Sequence, residues 1–253
     1  MGEDRHFVTD GIILKTSTSS EINKNFTFLS PVIGVQNAIA FGAAKTKSRF
    51  CSSIQGLVKA KFFLYKAPKT EFYKLEDISA VESNDFIRSN LENIYLSSFF
   101  SEVFLDSFIS IDESRNFYLL LLYSLEILKE SSDARKSFLF FVSKFLFLSG
   151  YNPNLTSCKR CREEFDLYYF DCLEGGIFCE THADDKKYSI SKDTVELFKS
   201  FLENKYLDLK DKEISLYGFN QIFSILIFLI KNIFEKELKT IPFLEAVIRE
   251  QTL

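Results

Sequence analysis

The strongest constraint on this chain lies between Cys158 and His182, which reads CKRCREEFDLYYFDCLEGGIFCETH. A Cys-x2-Cys pair opens it, a spacer carrying Gly175 and Gly176 follows, and Cys179-x2-His182 closes it. Two cysteines at this spacing form a tight knuckle whose thiolates converge on one ion. A second such pair completes four N/S ligands, the donor set of tetrahedral Zn2+. Cys158, Cys161, Cys179 and His182 are therefore the expected ligands of one zinc ion. Four protein ligands leave no position for a water nucleophile, so the expected role is structural, with binding contributing on the order of 10 kcal/mol to folding. A chance scatter of buried cysteines does not account for two pairs at knuckle spacing around one hairpin. Cys172 fits neither pair and reads as a reduced, strand-borne structural thiol, and Cys51 also stands outside the set.

Cysteines used this way point to a reducing compartment rather than a disulfide scaffold. A chain of 253 residues, 46% of them apolar, can bury a substantial core. The charged start MGEDRH is followed by no apolar leader, and Gly2 lacks the Ser or Thr of a myristoylation signal. The longest apolar run, Ile225 to Ile230 with its neighbours, falls short of the roughly 20 residues that span a bilayer. A cytoplasmic protein without a membrane segment is expected.

The net charge of −4 hides an uneven distribution. Residues 1–81 carry 11 basic and 7 acidic side chains, whereas residues 82–253 carry 20 and 28. No carboxylate occurs between Glu21 and Glu71, an interval holding Lys24, Lys45, Lys47, Arg49, Lys59, Lys61, Lys66 and Lys69. Such a segment attracts polyanions whatever the global charge.

The fold class expected is α+β: an N-terminal OB-fold β-barrel, then an α-helical domain with an inserted zinc-binding module. His6–Lys15, Asn25–Ser30, Val32–Phe41, Ser53–Tyr65 and Glu71–Val81 read as short strands, punctuated by Gly34, Gly42, Gly56 and Pro68. About five strands with no helical period suggest a small barrel, and such barrels bind single strands through a basic groove and exposed aromatics. Phe50, Phe62, Phe63 and Tyr65 lie among the lysines, each either a core ring or a stacking ring. From Asn84 the apolar period becomes helical, through Phe86, Ile87, Leu91, Ile94, Tyr95 and Phe99. Asp112 reads as an N-cap, and Arg135–Ser149 is apolar nearly all round, as a central bundle helix would be. Lys144 is its basic interior residue; it either snorkels to solvent or borders a pocket for an anionic partner. Ser191 caps a further helix, a long apolar helix runs from about Gly218 to Lys239, and Thr240-Ile241-Pro242 starts a last one. The expected divisions are barrel 1–81, helices 82–154, zinc module 155–187 and helices 188–253.

Signs of catalysis are missing. Neither histidine has Glu two residues on, as a zinc deaminase requires, and no P-loop or Gly-x-Ser-x-Gly elbow occurs. The expected protein is a binder rather than an enzyme, with a zinc-containing protein–protein adaptor or an RNA-binding OB protein as alternatives to a DNA binder.

Four stretches carry a family resemblance. These are GIILKTSTSSEIN, then GAAKTKSRFCSSIQGL beside a "KGARKxKSRF" pattern, then FVSKFLFLSGYNPNLTSCKRC beside "FELRLLxxLGYxPxLxxCxxC", then EGGIFC beside Gly-Gly-x-x-Cys. In this order the chain resembles the bacterial recombination-mediator RecO family over essentially its whole length. The resemblance implies a DNA-repair factor that binds single- and double-stranded DNA, anneals complementary strands and helps load RecA on strands coated by single-stranded DNA-binding protein. It implies RecR and the acidic C-terminal tail of the single-stranded DNA-binding protein as partners. Lys45, Lys47 and Arg49 fall on the family's DNA-facing basics, with Lys24, Lys59 and Lys61 joining them in the same acid-free interval. Lys144 falls on the family's usual basic place before the Gly-Tyr-x-Pro and would help hold the acidic tail, with Arg135, at the start of the same helix, as the next partner-binding candidate. The sequence departs from the family at His182, where Cys is more usual, and at Val142, where an acidic residue is.

Overall fold

The computed structural model describes residues 5–45, 48, 50, 53–131, 133–184, 187–209 and 212–249. Alternating burial in the first third drives strands that close on themselves. β1 (His6–Thr18), β2 (Lys24–Ser30), β3 (Gly34–Ala40), β4 (Lys59–Tyr65) and β5 (Tyr73–Glu82) form a closed barrel in the order β1-β2-β3-β5-β4. Long β1 serves two neighbours: Phe7 pairs with Leu64 of β4, and Thr16 with Phe26 of β2. The register shifts between Ile13 and Lys15, an irregularity that bends the strand around the barrel. Closure is completed by a short parallel contact, Ala38 with Tyr73 and Ile39 with Lys74. The OB-like barrel expected from the sequence is thus present.

Its interior is aromatic. Phe62 lies 5.6 Å from Phe26 and 4.8 Å from Phe28, ring centre to ring centre, and all three are buried. Gly11 makes room for them, since a Cβ there would stand 2.8 Å from the Phe62 ring and 3.0 Å from the Leu29 carbonyl. The described residues between β3 and β4 lie mostly in turns and bends, and Phe50 and Ile54 among them join the barrel core. The strand expected from Ser53 therefore begins only at Lys59.

Two compact units divide between Leu121 and Leu122. The first holds the barrel, a 3-10 turn at Asp85–Ser89, α1 (Leu91–Asp106) and the first half of α2 (Ser114–Glu130). Asn90 caps α1 by accepting from the Asn93 amide, and α1 packs on β1. Asp112 lies in the turn before α2 rather than at the helix start.

In the second unit Asp133 caps α3 (Ala134–Leu148), Ser191 caps α4 (Lys192–Glu203) and Ser215 caps α6 (Leu216–Phe234), while α5 (Tyr206–Leu209) and α7 (Ile241–Ile248) are short. α3 packs against both α4 and α6, with Phe138 wedged against Phe219 and Phe223. Its burial nearly all round follows from that central place. Between α3 and α4 stands a three-stranded sheet, β7 (Gly176–Phe178), β6 (Leu167–Asp171) and β8 (Ser189–Ser191), inserted into the helices as the sequence suggested. α6 spans 19 residues and is long and apolar enough, by length and composition, to cross a membrane; half of it is buried inside the unit. The apolar run read from the sequence missed this because Asn220, Gln221 and Lys231 interrupt the count without ending the helix.

Candidate metal centre and nucleic-acid interface

The metal ligands expected from the sequence converge. The Cys158, Cys161 and Cys179 sulfurs and a His182 ring nitrogen all lie within 4.8 Å of one another. His182 Nδ1 stands 3.9 Å from the Cys158 sulfur and 3.1 Å from that of Cys179. Bonds of ~2.3 Å to sulfur and ~2.0 Å to nitrogen at the tetrahedral angle place S and N about 3.5 Å apart. The two observed separations straddle that value, so the donors fit one tetrahedral ion.

Local backbone makes the convergence possible. Arg162, at φ 67°, turns the chain back after the first knuckle, and its amide donates to the Cys158 carbonyl. In the second knuckle the His182 and Ala183 amides both donate to the Cys179 carbonyl. The Lys159 amide donates to Ile177, fastening the first knuckle to β7 beside the second. Burial opposes ionisation of Cys158, yet the amides of Cys161, Cys179 and Arg160 and the Cys161 side chain outweigh it and bring the thiol down to about 6. The Glu163 amide favours the Cys161 thiolate, but burial and the neighbouring sulfurs raise that thiol. Thiols crowded this closely oppose one another's ionisation, and a cation relieves the conflict. Cys172 lies outside the cluster, in the turn just after β6 rather than on the strand. Cys51 lies outside the described residues.

Among the described residues, the basic side chains expected to meet DNA sit on different elements. Lys45 is exposed but sits in a bend beyond the end of β3, in a run of turns where the Ser48 amide donates to its carbonyl. Lys45 thus lies on no strand; Lys47 and Arg49 lie outside the described residues. Lys24 reaches the Ile54 carbonyl at 3.4 Å. Lys59 and Lys61 project outward from β4, set opposite Glu82 of β5 and Asp10 of β1. Of the aromatics, Phe50 and Phe62 belong to the core, while Phe63 and Tyr65 face outward on β4.

A groove of about 350 Å³ crosses the outer face of β1, β2 and β3. Lys15 and Ser17 of β1, Asn25 of β2, Asn37 and Ile39 of β3, and Phe72 line it, and no carboxylate does. None of these was singled out from the sequence. Lys15 lies before the acid-free interval, and strand pairing alone gathers the rest.

In the second unit, Lys144 is half-buried and donates to the Leu202 carbonyl at the end of α4. Its ammonium also lies 5.8 Å from the centre of the half-exposed Phe147 ring. Burial lowers its pKa, with Glu203 pulling the other way. Arg135 is engaged by Asp133 at 2.7 and 2.9 Å and stands 5.9 Å from the Phe219 ring.

Two family models match the chain: Recombination protein O N terminal over residues 5–84 and Recombination protein O C terminal over residues 88–241. The chain is 28% identical over 244 residues to a DNA repair protein RecO of Desulforamulus reducens, covering 95% of this chain and 94% of that one. A DNA repair protein RecO of Caldanaerobacter subterraneus is 28% identical over 211 residues, covering 81% and 84%. One of Bacillus cereus is 29% identical over 184 residues, covering 72% of each.

Proposed function

Because the chain belongs to the RecO family of DNA repair proteins, we propose that it is a cytoplasmic recombination mediator. It binds single- and double-stranded DNA, anneals complementary strands, and with RecR assists RecA loading on DNA coated by single-stranded DNA-binding protein. The observation that carries this reading is a closed OB-order barrel whose outer groove is lined by a lysine, amides and an exposed ring, without a carboxylate. Annealing needs only charge neutralisation and base presentation, so the reading includes no catalytic residue.

Zn2+ held by Cys158, Cys161, Cys179 and His182 is the cofactor of this reading. When bound, it supplies a closed tetrahedral anchor and no reactive ligand position. The chain's own residues do the positioning: the Cys158 and Cys179 carbonyls gather the turns that aim all four donors inward. For the partner, Lys144 beside the exposed Phe147 offers a cation next to an apolar ring, which suits an acidic tail ending in Phe. Arg135 is the secondary candidate, its charge already shared with Asp133.

The test is strand annealing of complementary oligonucleotides, bare and coated by the cognate single-stranded DNA-binding protein. Annealing in both states is expected. Failure on bare strands would overturn the mediator reading, and failure on coated strands alone would remove the partner.

A further inference from the structure

The acid-free interval of the barrel has a counterpart of opposite sign. Between Arg88 and Arg115 there is no basic residue, and Glu92, Glu102, Asp106, Asp112 and Glu113 fall there. This stretch forms α1 and the loop that leads into α2. The loop carries Phe108, which is 99% exposed, and Ile111, also exposed. A third exposed apolar side chain, Val32, stands in the turn between β2 and β3.

The two loops touch and hold each other. Gly34, at φ 71°, lies against the α1–α2 loop, since a Cβ there would stand 3.0 Å from the Ser114 hydroxyl oxygen and 3.9 Å from the Ile109 carbonyl. Ser114 is fully buried and donates to the Ser110 carbonyl at 2.9 Å. The Glu113 and Ser114 amides donate to the Ser110 and Ile111 carbonyls. In the other turn, buried Ser30 accepts from the amides of Val32 and Ile33 at 3.1 and 3.3 Å. The three apolar side chains thus project from backbone that is already fixed, and a partner meeting them has no loop to order. Single exposed apolar residues need no partner, but three on touching, ordered loops form a patch. Charge decides what the patch can take. Asp106, Asp112 and Glu113, all exposed, flank Phe108 and Ile111, a rim that repels phosphates and acidic peptides and attracts cations.

We propose that the α1–α2 loop and the β2–β3 turn form a docking surface for a basic amphipathic segment of a partner protein. Its apolar side chains cover Phe108, Ile111 and Val32, and its Lys or Arg side chains meet Asp106, Asp112 and Glu113. The surface goes beyond the DNA-binding reading and does not depend on it, because its charge keeps nucleic acid away. A second copy of this chain is the competing occupant, since its own acid-free interval is basic as well.

The experiment measures binding of the full chain to a labelled amphipathic helical peptide of Leu and Lys, and to its Leu and Glu counterpart, by fluorescence anisotropy. Wild type is compared with Phe108→Ser, with Ile111→Ser, and with Asp112→Asn combined with Glu113→Gln. Leu173→Ser, an equally exposed apolar change in the turn after β6, is the control. Loss of either apolar anchor weakens the Leu/Lys peptide about tenfold. The neutralised pair weakens it too, and added salt narrows that difference from wild type. Leu173→Ser binds as wild type does, and the Leu/Glu peptide does not distinguish Phe108→Ser from wild type. Phe108 lies wholly at the surface, so the Tm of its variant is unchanged and affinity is read on folded protein. Full Leu/Lys affinity in Phe108→Ser, or an equal loss in Leu173→Ser, would overturn the surface. Sedimentation velocity settles the occupant: self-association of wild type that Phe108→Ser abolishes would overturn the partner segment in favour of a second copy.

Discussion

Replacing Cys179 with serine removes one of four donors from a pair of knuckles with a small buried cluster of their own. That cluster is Cys158, Phe178 and Cys179, with Cys161, Phe165 and Ala183 packed partly against it. A structural metal contributes on the order of 10 kcal/mol to folding, several times the ~1.5–3 kcal/mol of burying one Phe side chain such as Phe178. Cys179→Ser is therefore expected to lose the ion and, with it, order in the two knuckles, while β6 stays held by Phe170 on Phe198. α3, α4 and α6 keep their own packing, anchored by Phe138 on Phe219 and Phe223. Elemental analysis combined with native-state amide exchange reads both effects. The Lys159, Arg162 and His182 amides, each bonded to a backbone carbonyl of the module, should lose protection, while those of α6 retain it. His182→Cys should keep the ion, since thiolate is an equally good donor at a tetrahedral site. Wild-type protein carrying well under one metal per chain without chelator exposure would refute the reasoning, as would a serine variant whose knuckle amides stay protected.

Further outcomes can be checked separately. Gly11→Ala drives a methyl to 2.8 Å from the Phe62 ring; overpacking should cost ~1–3 kcal/mol in urea unfolding, and a stability gain would contradict the barrel packing. Substituting Lys45, Lys47 and Arg49 together with Ala should weaken single-strand binding and flatten the log–log salt slope by up to about two units, at ~0.7 per phosphate contact. The matched change at Lys205, Lys210 and Lys212 should do little, and equal losses in both would move the DNA interface off the barrel. Lys144→Ala should weaken an acidic, Phe-ended peptide by ~1–3 kcal/mol in a titration without altering metal content, whereas unchanged affinity would exclude that lysine. Because burial lowers its folded pKa, Lys144 also costs stability while charged. That cost is relieved as pH rises from the depressed value toward the unfolded ~10.4, so wild type should gain on Lys144→Met over that window in pH-dependent melting.

What could be read in the chain was local. The convergence of the Cys/His cluster was legible because each knuckle is a short contiguous turn and only one hairpin separates them. The barrel was legible from alternation, and even the sorting of Phe62 inward and Phe63 outward follows from a period of two once β4 is placed. The β3–β4 connection misled because Phe50 and Ile54 are as apolar as strand residues, although they plug the barrel from a run of turns. The groove was invisible because Lys15, Asn37 and Phe72 meet only through cross-strand pairing and closure. Lys144 was visible as an oddity, but its hydrogen bond to Leu202 depends on how α3 packs on α4.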